Sequence, residues 1–470
     1  MTSTRRPRPT PPRPGTRPRP GTGPRPGATL RRGTVRRRGA VRRRGAALAL
    51  AGLLAVYGCS SGAQHPGSAG GRAVTAEPAA LGPSAALGDT GGSSPSMALG
   101  GPTAPGGVVA LTPAVTSELD DTIRQVMSQA SIPGAIIGYS TPDGDYQRAF
   151  GIADKIAGTP MTPDLSTRVG SITKTFTTSA VLRLADQNRL NLDDPIAKYV
   201  PDVPGGDAIT LRQLGTMRSG LYNYTEDPDF ERALFSHPDR AYTPNQLLAY
   251  AYRHASDFAP GSRFEYSNTN TILLGLVVEK VAGQPLGDFL KAQVFGPAGL
   301  DRTVLPTDAA FPDPHVRGYT ILATNGSLQD TTTWNPSWIW AAGAAISDLR
   351  DLRSWSRTLA TGTPLFGQAA QAQRLRFEDT GVPDVGYGFG LFTIHGWLGH
   401  NGSLPGYQAV MVYLPSARAS LVILINTDVP CQDSQPSTLL ARAITRIVSP
   451  NNVYTLSPTE EPDSTEMSPR

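Results

Sequence analysis

The sequence predicts an α/β fold of the α+β kind, with an antiparallel sheet flanked by helices and an inserted all-helical lobe. Strand-like segments open and close the region 113–449, whereas the stretch from about 176 to 340 between them is rich in helices and loops. A sheet built from both ends of a chain, with helices inserted between them, accommodates this order. Such a domain has two lobes, and we expect a catalytic cleft between them.

The opening elements are two helices and a hairpin. Apolar residues recur at three- and four-residue spacing over 114–130, which predicts an amphipathic helix. Residues 135–139 and 146–152 form a predicted hairpin around a Pro-Asp-Gly turn. We expect a second helix over 171–187, with Asn188 as its left-handed cap.

The closing elements are mainly strands. A helix with one apolar face is predicted over 269–281, and Gly283 ends it. The later elements are three strands and a final helix, at 389–394, 408–414, 419–426 and 439–448. The uninterrupted apolar run from Leu421 to Ile425 predicts that the last strand is central and buried.

Charge is divided unevenly along the chain. The 470 residues carry a formal net charge of +5, yet residues 1–58 contain 15 Arg and no Lys, Asp or Glu. The remainder holds 28 basic residues against 38 acidic ones. The basic character therefore belongs to a terminal segment, and we expect no nucleic-acid binding by the folded, acidic part.

The segment 1–58 resembles a basic n-region followed by a signal peptide. Arg42-Arg43-Arg44 precede an uncharged run over 46–57, which is too short to span a bilayer. Val56-Tyr57-Gly58-Cys59 resembles a bacterial lipobox, in which Cys59 would carry lipid; cleavage elsewhere is the alternative. We expect an exported protein that is lipid-anchored to the outer face of the cytoplasmic membrane, and N-terminal mapping of the protein from its host tests this.

The segments that flank the predicted domain have the composition of disordered chain. Residues 59–112 form a predicted lipid-anchored linker, and 450–470 form a predicted tail. The stretch before the leader exceeds an ordinary n-region, so either translation starts at Val35 or Val41 or that stretch is a disordered basic tail. The chain has two Cys, and if Cys59 is lipidated we expect no disulfide framework. His and Cys lack metal-ligand spacing and no phosphate-binding Gly loop occurs, so we predict no metal and no cofactor.

The first chemical motif is the tetrad Ser171-Ile172-Thr173-Lys174. On a helix, positions three apart share a face, so the hydroxyl and the amine lie side by side. A serine hydroxyl becomes a nucleophile when a base takes its proton, and a Lys amine serves once burial or nearby positive charge lowers its pKa. Lys174 is the only one of five Lys with Ser three residues before it. A helix-capping Ser beside a surface Lys is the alternative.

Two further motifs follow in the chain. Tyr266-Ser267-Asn268 is the only Tyr-x-Asn among 15 Tyr, and it precedes a predicted helix. Its phenol can shuttle protons if cations lower its pKa, and the amide of Asn268 can hold the Lys amine and a substrate carbonyl. His400-Asn401-Gly402-Ser403 lies between strand-like segments, where the Gly lets a substrate backbone approach. The N–H groups of Ser403 and Ser171 could then form an oxyanion hole.

In this order the motifs resemble those of the penicillin-recognising serine hydrolases. The nearest likeness is to the group of class C β-lactamases, serine D-alanyl-D-alanine carboxypeptidases and related esterases, over about residues 110–450. The resemblance implies a β-lactamase/transpeptidase-like fold. It also implies roles for individual residues. Ser171 is the nucleophile, and Lys174 and Tyr266 share the work of general base and general acid, with the order in which they act left open. Asn268, His400, Asn401 and Gly402 take part in substrate binding, Ser403 in the oxyanion hole, and Trp338 in the cleft wall.

Two departures from the carboxypeptidases concern their substrate carboxylate. Asn401 stands where Thr is usual, and Phe392 stands where those enzymes carry an Arg, which is a strong carboxylate anchor. We predict an exported serine hydrolase that is D-Ala-D-Ala carboxypeptidase-like or β-lactamase-related and acts on a cell-wall peptide or other small substrate. An esterase or amidase of the same fold is the alternative, and a non-catalytic lipoprotein that binds cell-wall peptides is the second. The sequence leaves the oligomeric state open.

Overall fold

The structure is a computed structural model that describes residues 103–104, 107–322, 326–431 and 434–455. Helices and strands alternate at its two ends, and helices fill the middle. Over these described residues there are twelve α-helices: α1 Pro113–Gln129, α2 Thr173–Asp186, α3 Leu211–Gly215, α4 Pro228–Ser236, α5 Pro244–Ala251, α6 Asn268–Ala282, α7 Leu286–Leu290, α8 Gly296–Ala298, α9 Trp340–Gly343, α10 Leu349–Thr361, α11 Gln368–Arg374 and α12 Pro436–Val448.

The strands come from both ends of the chain, as predicted. In the described part they are β1 Thr103–Ala104, β2 Val108–Val109, β3 Gly134–Thr141, β4 Gly144–Asp154, β5 Thr159–Pro160, β6 Thr167–Arg168, β7 Tyr319–Thr320, β8 Gln329–Asp330, β9 Ile346–Ser347, β10 Glu378–Asp379, β11 Val385–Tyr387, β12 Phe392–Ile394, β13 Trp397–Leu404, β14 Tyr407–Leu414 and β15 Ala419–Ile425. Nine of them form one antiparallel sheet in the order β10-β11-β12-β13-β14-β15-β3-β4-β5. The predicted fold class, an antiparallel sheet flanked by helices with a helical insertion, is confirmed.

The central position of β15 follows from its apolar run. Alternate residues of a strand point to opposite faces, and here both faces are covered. Leu421 and Ile423 pack in a core with α1 and α12, whereas Val422 and Leu424 pack in a second core with α2 and α10. A strand buried on both faces needs apolar residues at every position, and this continuous run is the reason why the strand could be predicted from the sequence.

Helices α1 and α6 show how local signals set the ends of elements. Thr112 caps α1 by accepting a hydrogen bond from the backbone N–H of Val115, as N-terminal Thr commonly does. The left-handed residue predicted after each helix is observed: Asn188 follows α2 with φ +56°, and Gly283 ends α6 with φ +71°. A left-handed cap satisfies carbonyl groups at the helix end.

The strand predicted over 389–394 is shorter in the structure and begins at Phe392. Gly390 has φ +81° and donates its N–H to the carbonyl of Gly215, outside the sheet. A Cβ atom on Gly390 would fall 2.2 Å from Oγ1 of Thr178. The segment before Phe392 therefore turns to pack on α2, and only Gly fits that turn.

The domain extends beyond the bounds of 113 and 449 predicted from composition. Val108 in β2 is buried, although we assigned it to the linker over 59–112. Tyr454 is buried too, and the carbonyl of Asn452 accepts a hydrogen bond from Trp397 Nε1 at 2.7 Å. These segments are ordered because single apolar residues in them pack on the domain, a contact that composition does not reveal.

The predicted signal peptide, most of the linker and the candidate lipid-bearing Cys59 lie outside the described residues. The export and anchoring of the protein therefore stay predictions. Across the described ranges, no helix combines the length and apolarity that crossing a bilayer requires.

Candidate active site

Ser171 lies in a tight turn at the N-terminus of α2. Residues Gly170–Ile172 form a 3-10 turn, and the α-helix proper begins at Thr173 rather than at Ser171 as predicted. Gly170 has φ +54°, and a Cβ atom there would fall 2.8 Å from the backbone N of Ser403. The close approach of β13 explains both the glycine and the altered first turn. The turn places Ser171 against the sheet edge.

Lys174 is fully buried one helical turn after Ser171. Its Nζ lies 3.0 Å from Ser171 Oγ, 2.6 Å from Asn268 Oδ1 and 2.8 Å from the carbonyl of Ala342. Burial lowers the pKa of Lys174 well below its usual range, since an ammonium loses its hydration there. A neutral amine has two N–H groups and one lone pair. Because the amide and carbonyl oxygens accept the two N–H groups, the lone pair is left for the Ser171 proton.

Tyr266 is buried on the other side of Lys174. The centre of its ring lies 4.8 Å from Lys174 Nζ. We expected cations to lower the pKa of this phenol, but that condition is not met. Burial raises the pKa of Tyr266, and only an interaction with Ser171 works against this. The phenol therefore stays protonated at neutral pH, so it can donate or relay a proton but cannot act as a base by itself.

Asn268 is the first residue of α6 and holds the Lys174 amine. Its Nδ2 donates to Thr225 Oγ1 at 3.0 Å, and its backbone N–H donates to Asn223 Oδ1 at 3.0 Å. Both contacts come from the segment before α4. The contact with Thr225 orients the side-chain amide so that its oxygen faces Lys174, and the contact with Asn223 holds the backbone of Asn268. Asn223 and Thr225 have no sequence signature of their own, so sequence reasoning missed them.

The edge of β13 forms the opposite wall of the site. Strand β12 pairs with β13 only as far as Gly399, which faces Phe392, so the edge beyond that point has no strand partner in the described sheet. A Cβ atom on Gly402 would fall 2.0 Å from the carbonyl of Val169 and 2.9 Å from the backbone N of Ser171. This contact brings Gly402 and Ser403 beside the nucleophile turn, as the oxyanion-hole hypothesis requires.

His400 is buried and uncharged. Its Nδ1–H donates to the carbonyl of Asn401 at 2.5 Å, so Nε2 is free to accept a hydrogen bond from the hydroxyl of Tyr387 at 3.3 Å. Burial lowers the pKa of His400 to about 3. Tyr387 lies on β11 and was missed by sequence reasoning, because no short motif joins it to the His.

The remaining predicted residues lie at the periphery. Asn401 is buried in β13 opposite Val410. Trp338 is half-buried, its carbonyl accepts a hydrogen bond from Tyr224 at 2.8 Å, and its ring lies 6.3 Å from that of Phe230. These contacts make Trp338 part of an aromatic wall rather than a reacting group.

Phe392 occupies the position at which the carboxypeptidases carry a carboxylate-binding Arg. It is buried, with its ring 5.0 Å from His400, 6.4 Å from Tyr266 and 4.6 Å from Tyr387. The position is thus filled by an aromatic packing residue, which offers no charge to a substrate carboxylate.

Three carboxylates stand beside the site on the helical side. Glu226 accepts a hydrogen bond at 2.8 Å from Nδ2 of Asn223, the residue that also binds Asn268. Glu265 directly precedes Tyr266 in the sequence. The third carboxylate, Asp257, is close enough for its charge to affect Glu226 and Glu265. Desolvation raises the pKa of Glu226 and of Glu265, and the negative charge of Asp257 raises both further. Arg263, which forms an ion pair with Glu265 at 2.6 Å, acts in the opposite direction on the pKa of Glu265. Sequence reasoning missed this group because its members are far apart in the chain: 31 residues separate Glu226 from Asp257, and 8 separate Asp257 from Glu265.

The fold and the site define a serine hydrolase in which a Lys amine and a Tyr phenol flank the serine. The chain belongs to the β-lactamase family, since the family described as Beta-lactamase matches residues 119–445. The predicted resemblance to the penicillin-recognising serine hydrolases is therefore confirmed.

Several similar proteins are named for D-amino acid derivatives. A D-stereospecific amidohydrolase from a Streptomyces species is 34% identical, with a TM-score of 0.62 over 67% of this chain and 94% of that chain. The D-amino acid amidase of Ochrobactrum anthropi SV3, solved with L-phenylalanine amide, is 26% identical, with a TM-score of 0.62 over 71% of this chain and 96% of that one. The D-aminopeptidase of Brucella anthropi is 28% identical over 320 residues, which are 66% of this chain and 59% of the D-aminopeptidase.

Proposed function

We propose that the protein hydrolyses the amide bond of small D-amino acid amides or peptides whose acyl residue has a free α-ammonium group. The observation that carries this proposal is the group of Glu226, Asp257 and Glu265 beside Tyr266 and Asn268. Arg263 already pairs with Glu265 at 2.6 Å, whereas Glu226 and Asp257 form no ion pair within the described residues. The negative charges of these two carboxylates favour a cation nearby, and an α-ammonium next to the scissile carbonyl supplies one. The names of the similar amidohydrolase, amidase and D-aminopeptidase support the same substrate class.

Acylation follows from the contacts of Ser171. The Ser171 hydroxyl gives its proton to the neutral Lys174 amine as Oγ attacks the substrate carbonyl carbon. The N–H groups of Ser171 and Ser403 stabilise the resulting oxyanion. The C–N bond then breaks, and the leaving nitrogen takes a proton from the Tyr266 phenol, which Lys174 reprotonates. The products of this step are ammonia or an amine and an ester on Ser171.

Deacylation reverses these proton transfers with water as the nucleophile. Water attacks the ester carbonyl as Tyr266 takes its proton and passes the phenolic proton to the neutral Lys174 amine. The ester C–O bond then breaks, Lys174 returns the proton to Ser171, and the amino acid is released. Lys174 acts as the first base because burial lowers its pKa and keeps the amine neutral. Burial raises the pKa of Tyr266, so the phenol is protonated and cannot take that role.

A D-Ala-D-Ala carboxypeptidase is the second candidate, favoured by the Tyr-x-Asn and His-x-Gly motifs. It ranks second because Phe392 fills the position of the carboxylate anchor. An esterase uses the same acyl-enzyme and differs only in the leaving group. β-Lactamase activity requires rapid deacylation of a bulky acyl group in the same site.

A substrate panel separates these candidates. We expect turnover of D-alanine amide and D-phenylalanine amide, weaker turnover of the N-acetylated amides, and little D-Ala release from a diacyl tripeptide ending in D-Ala-D-Ala. Glu226→Gln should raise KM for the free amides by up to about 5-fold, because Glu226 is exposed and an exposed ion pair contributes about 0.2–1 kcal/mol. The same variant should leave the KM for the N-acetylated amide nearly unchanged. Glu118→Gln, at an exposed position of α1, is the matched control.

The panel also defines what would contradict the proposal. Release of D-Ala without amide hydrolysis would support the carboxypeptidase, and ester turnover alone would support the esterase. Ser171→Ala should abolish covalent labelling by a phosphonate, and persistent labelling in that variant refutes the nucleophile assignment. If the unsubstituted protein forms no adduct with any acylating reagent, a non-catalytic binding protein is favoured.

A further inference from the structure

A chain of hydrogen bonds joins Lys174 to the carboxylate of Glu226. Lys174 Nζ lies 2.6 Å from Asn268 Oδ1, and Asn268 Nδ2 lies 3.0 Å from Thr225 Oγ1. The Thr225 hydroxyl lies 3.0 Å from Asn223 Oδ1, and Asn223 Nδ2 lies 2.8 Å from Glu226 Oε1. These contacts connect a fully buried amine to a residue that is exposed to solvent.

The direction of the inner bonds follows from one backbone group. The N–H of Asn268 can only donate, and it lies 3.0 Å from Asn223 Oδ1, so this atom is the acceptor oxygen of the Asn223 amide. The Thr225 hydroxyl must then give its single proton to that oxygen. The lone pairs of Thr225 Oγ1 are left to accept from Asn268. The NH₂ group of Asn268 therefore faces Thr225, and its oxygen faces Lys174.

The outer end of the chain has the same direction. The NH₂ group of Asn223 faces Glu226, and an ionised carboxylate only accepts hydrogen bonds. Every group therefore donates to the next one, from Lys174 outwards to Glu226. Hydrogen bonds in such a sequence polarise one another, and a low local dielectric strengthens the effect. The three connecting residues Asn268, Thr225 and Asn223 are all buried, at 2%, 8% and 4% exposed.

We propose that Thr225 and Asn223 are positioning residues that couple the charge of Glu226 to the basicity of Lys174. A negative Glu226 polarises the chain and makes the Asn268 oxygen a stronger acceptor, which favours the protonated amine. Loss of that charge weakens the polarisation and favours the neutral amine. One consequence rests on the proposed function: the α-ammonium of the substrate neutralises Glu226, so substrate binding itself prepares Lys174 to act as the base.

A double-mutant cycle on the rate of acylation tests this coupling. The probe is an uncharged phosphonate, and its labelling of Ser171 is followed across pH. Glu226→Gln should move the acid limb of the rate profile to lower pH and raise the rate on that limb about 2-fold or more, as partners in one hydrogen-bond network commonly do. Thr225→Val, which replaces the hydroxyl by a methyl group, should abolish this response, so that adding Glu226→Gln to it moves the limb no further.

Two controls separate the chain from other effects. Thr225→Ser keeps the hydroxyl and should retain the response to Glu226→Gln, as should Thr159→Val at an exposed position of β5. A response that is equal with and without the Thr225 hydroxyl refutes the proposal, because the charge of Glu226 then acts through space. An unchanged profile in Glu226→Gln refutes it as well.

Neutron diffraction provides a readout that needs no variant. Deuterium on Thr225 Oγ1 that points to Asn223 Oδ1 supports the proposal even if Thr225→Val fails to fold, whereas deuterium that points to Asn268 refutes it. Neither measurement uses an amide substrate. Failure of the proposed function would instead be seen as absent amide turnover, with the labelling cycle unaffected.

Discussion

At the scale of single residues, the chemistry depends on how Lys174 is enclosed. Its two hydrogen-bond acceptors are an amide oxygen and a backbone carbonyl, neither of which carries a charge. A carboxylate in either place would raise the pKa of Lys174 and keep the amine protonated. The uncharged acceptors orient the amine and leave desolvation to lower its pKa, so the residue can accept the Ser171 proton.

We predict that Lys174→Met lowers kcat/KM by about 10²–10⁴, the usual contribution of a general base. Lys174→Arg should lose as much, because Arg remains protonated and cannot accept a proton. In the unsubstituted protein, kcat/KM should fall as pH drops through the lowered pKa of Lys174. Steady-state kinetics across pH checks this, with Lys280→Met on the exposed face of α6 as the control. A fully active Lys174→Arg would rule out Lys174 as the base.

At the scale of elements, the site depends on contact between the edge of β13 and the turn before α2. Gly402 makes this contact possible, because the carbonyl of Val169 occupies the space that a Cβ atom would need. The strand and the turn are more than 200 residues apart in the chain. The catalytic geometry is therefore set by packing between elements and by glycine, and not by either motif alone.

We predict that Gly402→Ala lowers kcat more than 100-fold and destabilises the protein by about 1–3 kcal/mol, because the added methyl forces the strand and turn apart. Gly367→Ala is the matched control, since a Cβ atom there meets nothing within 4 Å. Urea unfolding measures the stability, and phosphonate labelling rates measure the reactivity of Ser171. Normal labelling by Gly402→Ala would show that the oxyanion hole lies elsewhere.

At the scale of the whole molecule, buried groups connect stability to pH. Folding lowers the pKa of His400 from its ordinary 6.5 to about 3. Between those values the unfolded chain binds a proton that the folded protein does not, so stability falls as pH decreases from 6.5 towards 3. The contribution of Asp428 to stability depends on pH in the opposite direction. Burial raises the pKa of Asp428 to about 7, so its stabilising contribution is lost as pH rises through that value.

We predict that His400→Asn reduces the acid sensitivity of the protein. The histidine contributes a slope of at most about 1.4 kcal/mol per pH unit between pH 6.5 and 3, and the variant should lack it, although it is less stable at pH 7. Urea unfolding at several pH values from 4 to 7 measures the slope, with exposed His237→Asn as the control. The contribution of Asp428 is common to all three proteins and cancels. An unchanged slope in His400→Asn would contradict the prediction.

The sequence by itself determined the α+β order of elements, the buried strand at Leu421 to Ile425 and the family. These depend on periodicity and on short motifs, which are local properties of the chain. It also identified the chemistry-bearing residues Ser171, Lys174 and Tyr266, whose roles stay predictions until they are tested.

Only the tertiary structure decided how these residues are protonated and which groups surround them. Burial overrides the expected effect of cations on Tyr266, and Tyr387, Asn223 and the carboxylate group around Glu226 join the site from distant segments. Desolvation and long-range contacts depend on the packed arrangement of the whole chain, so no local pattern records them. For the same reason, Arg168 looks like an ordinary charged residue in the sequence, whereas in the fold it is buried and donates to two backbone carbonyls.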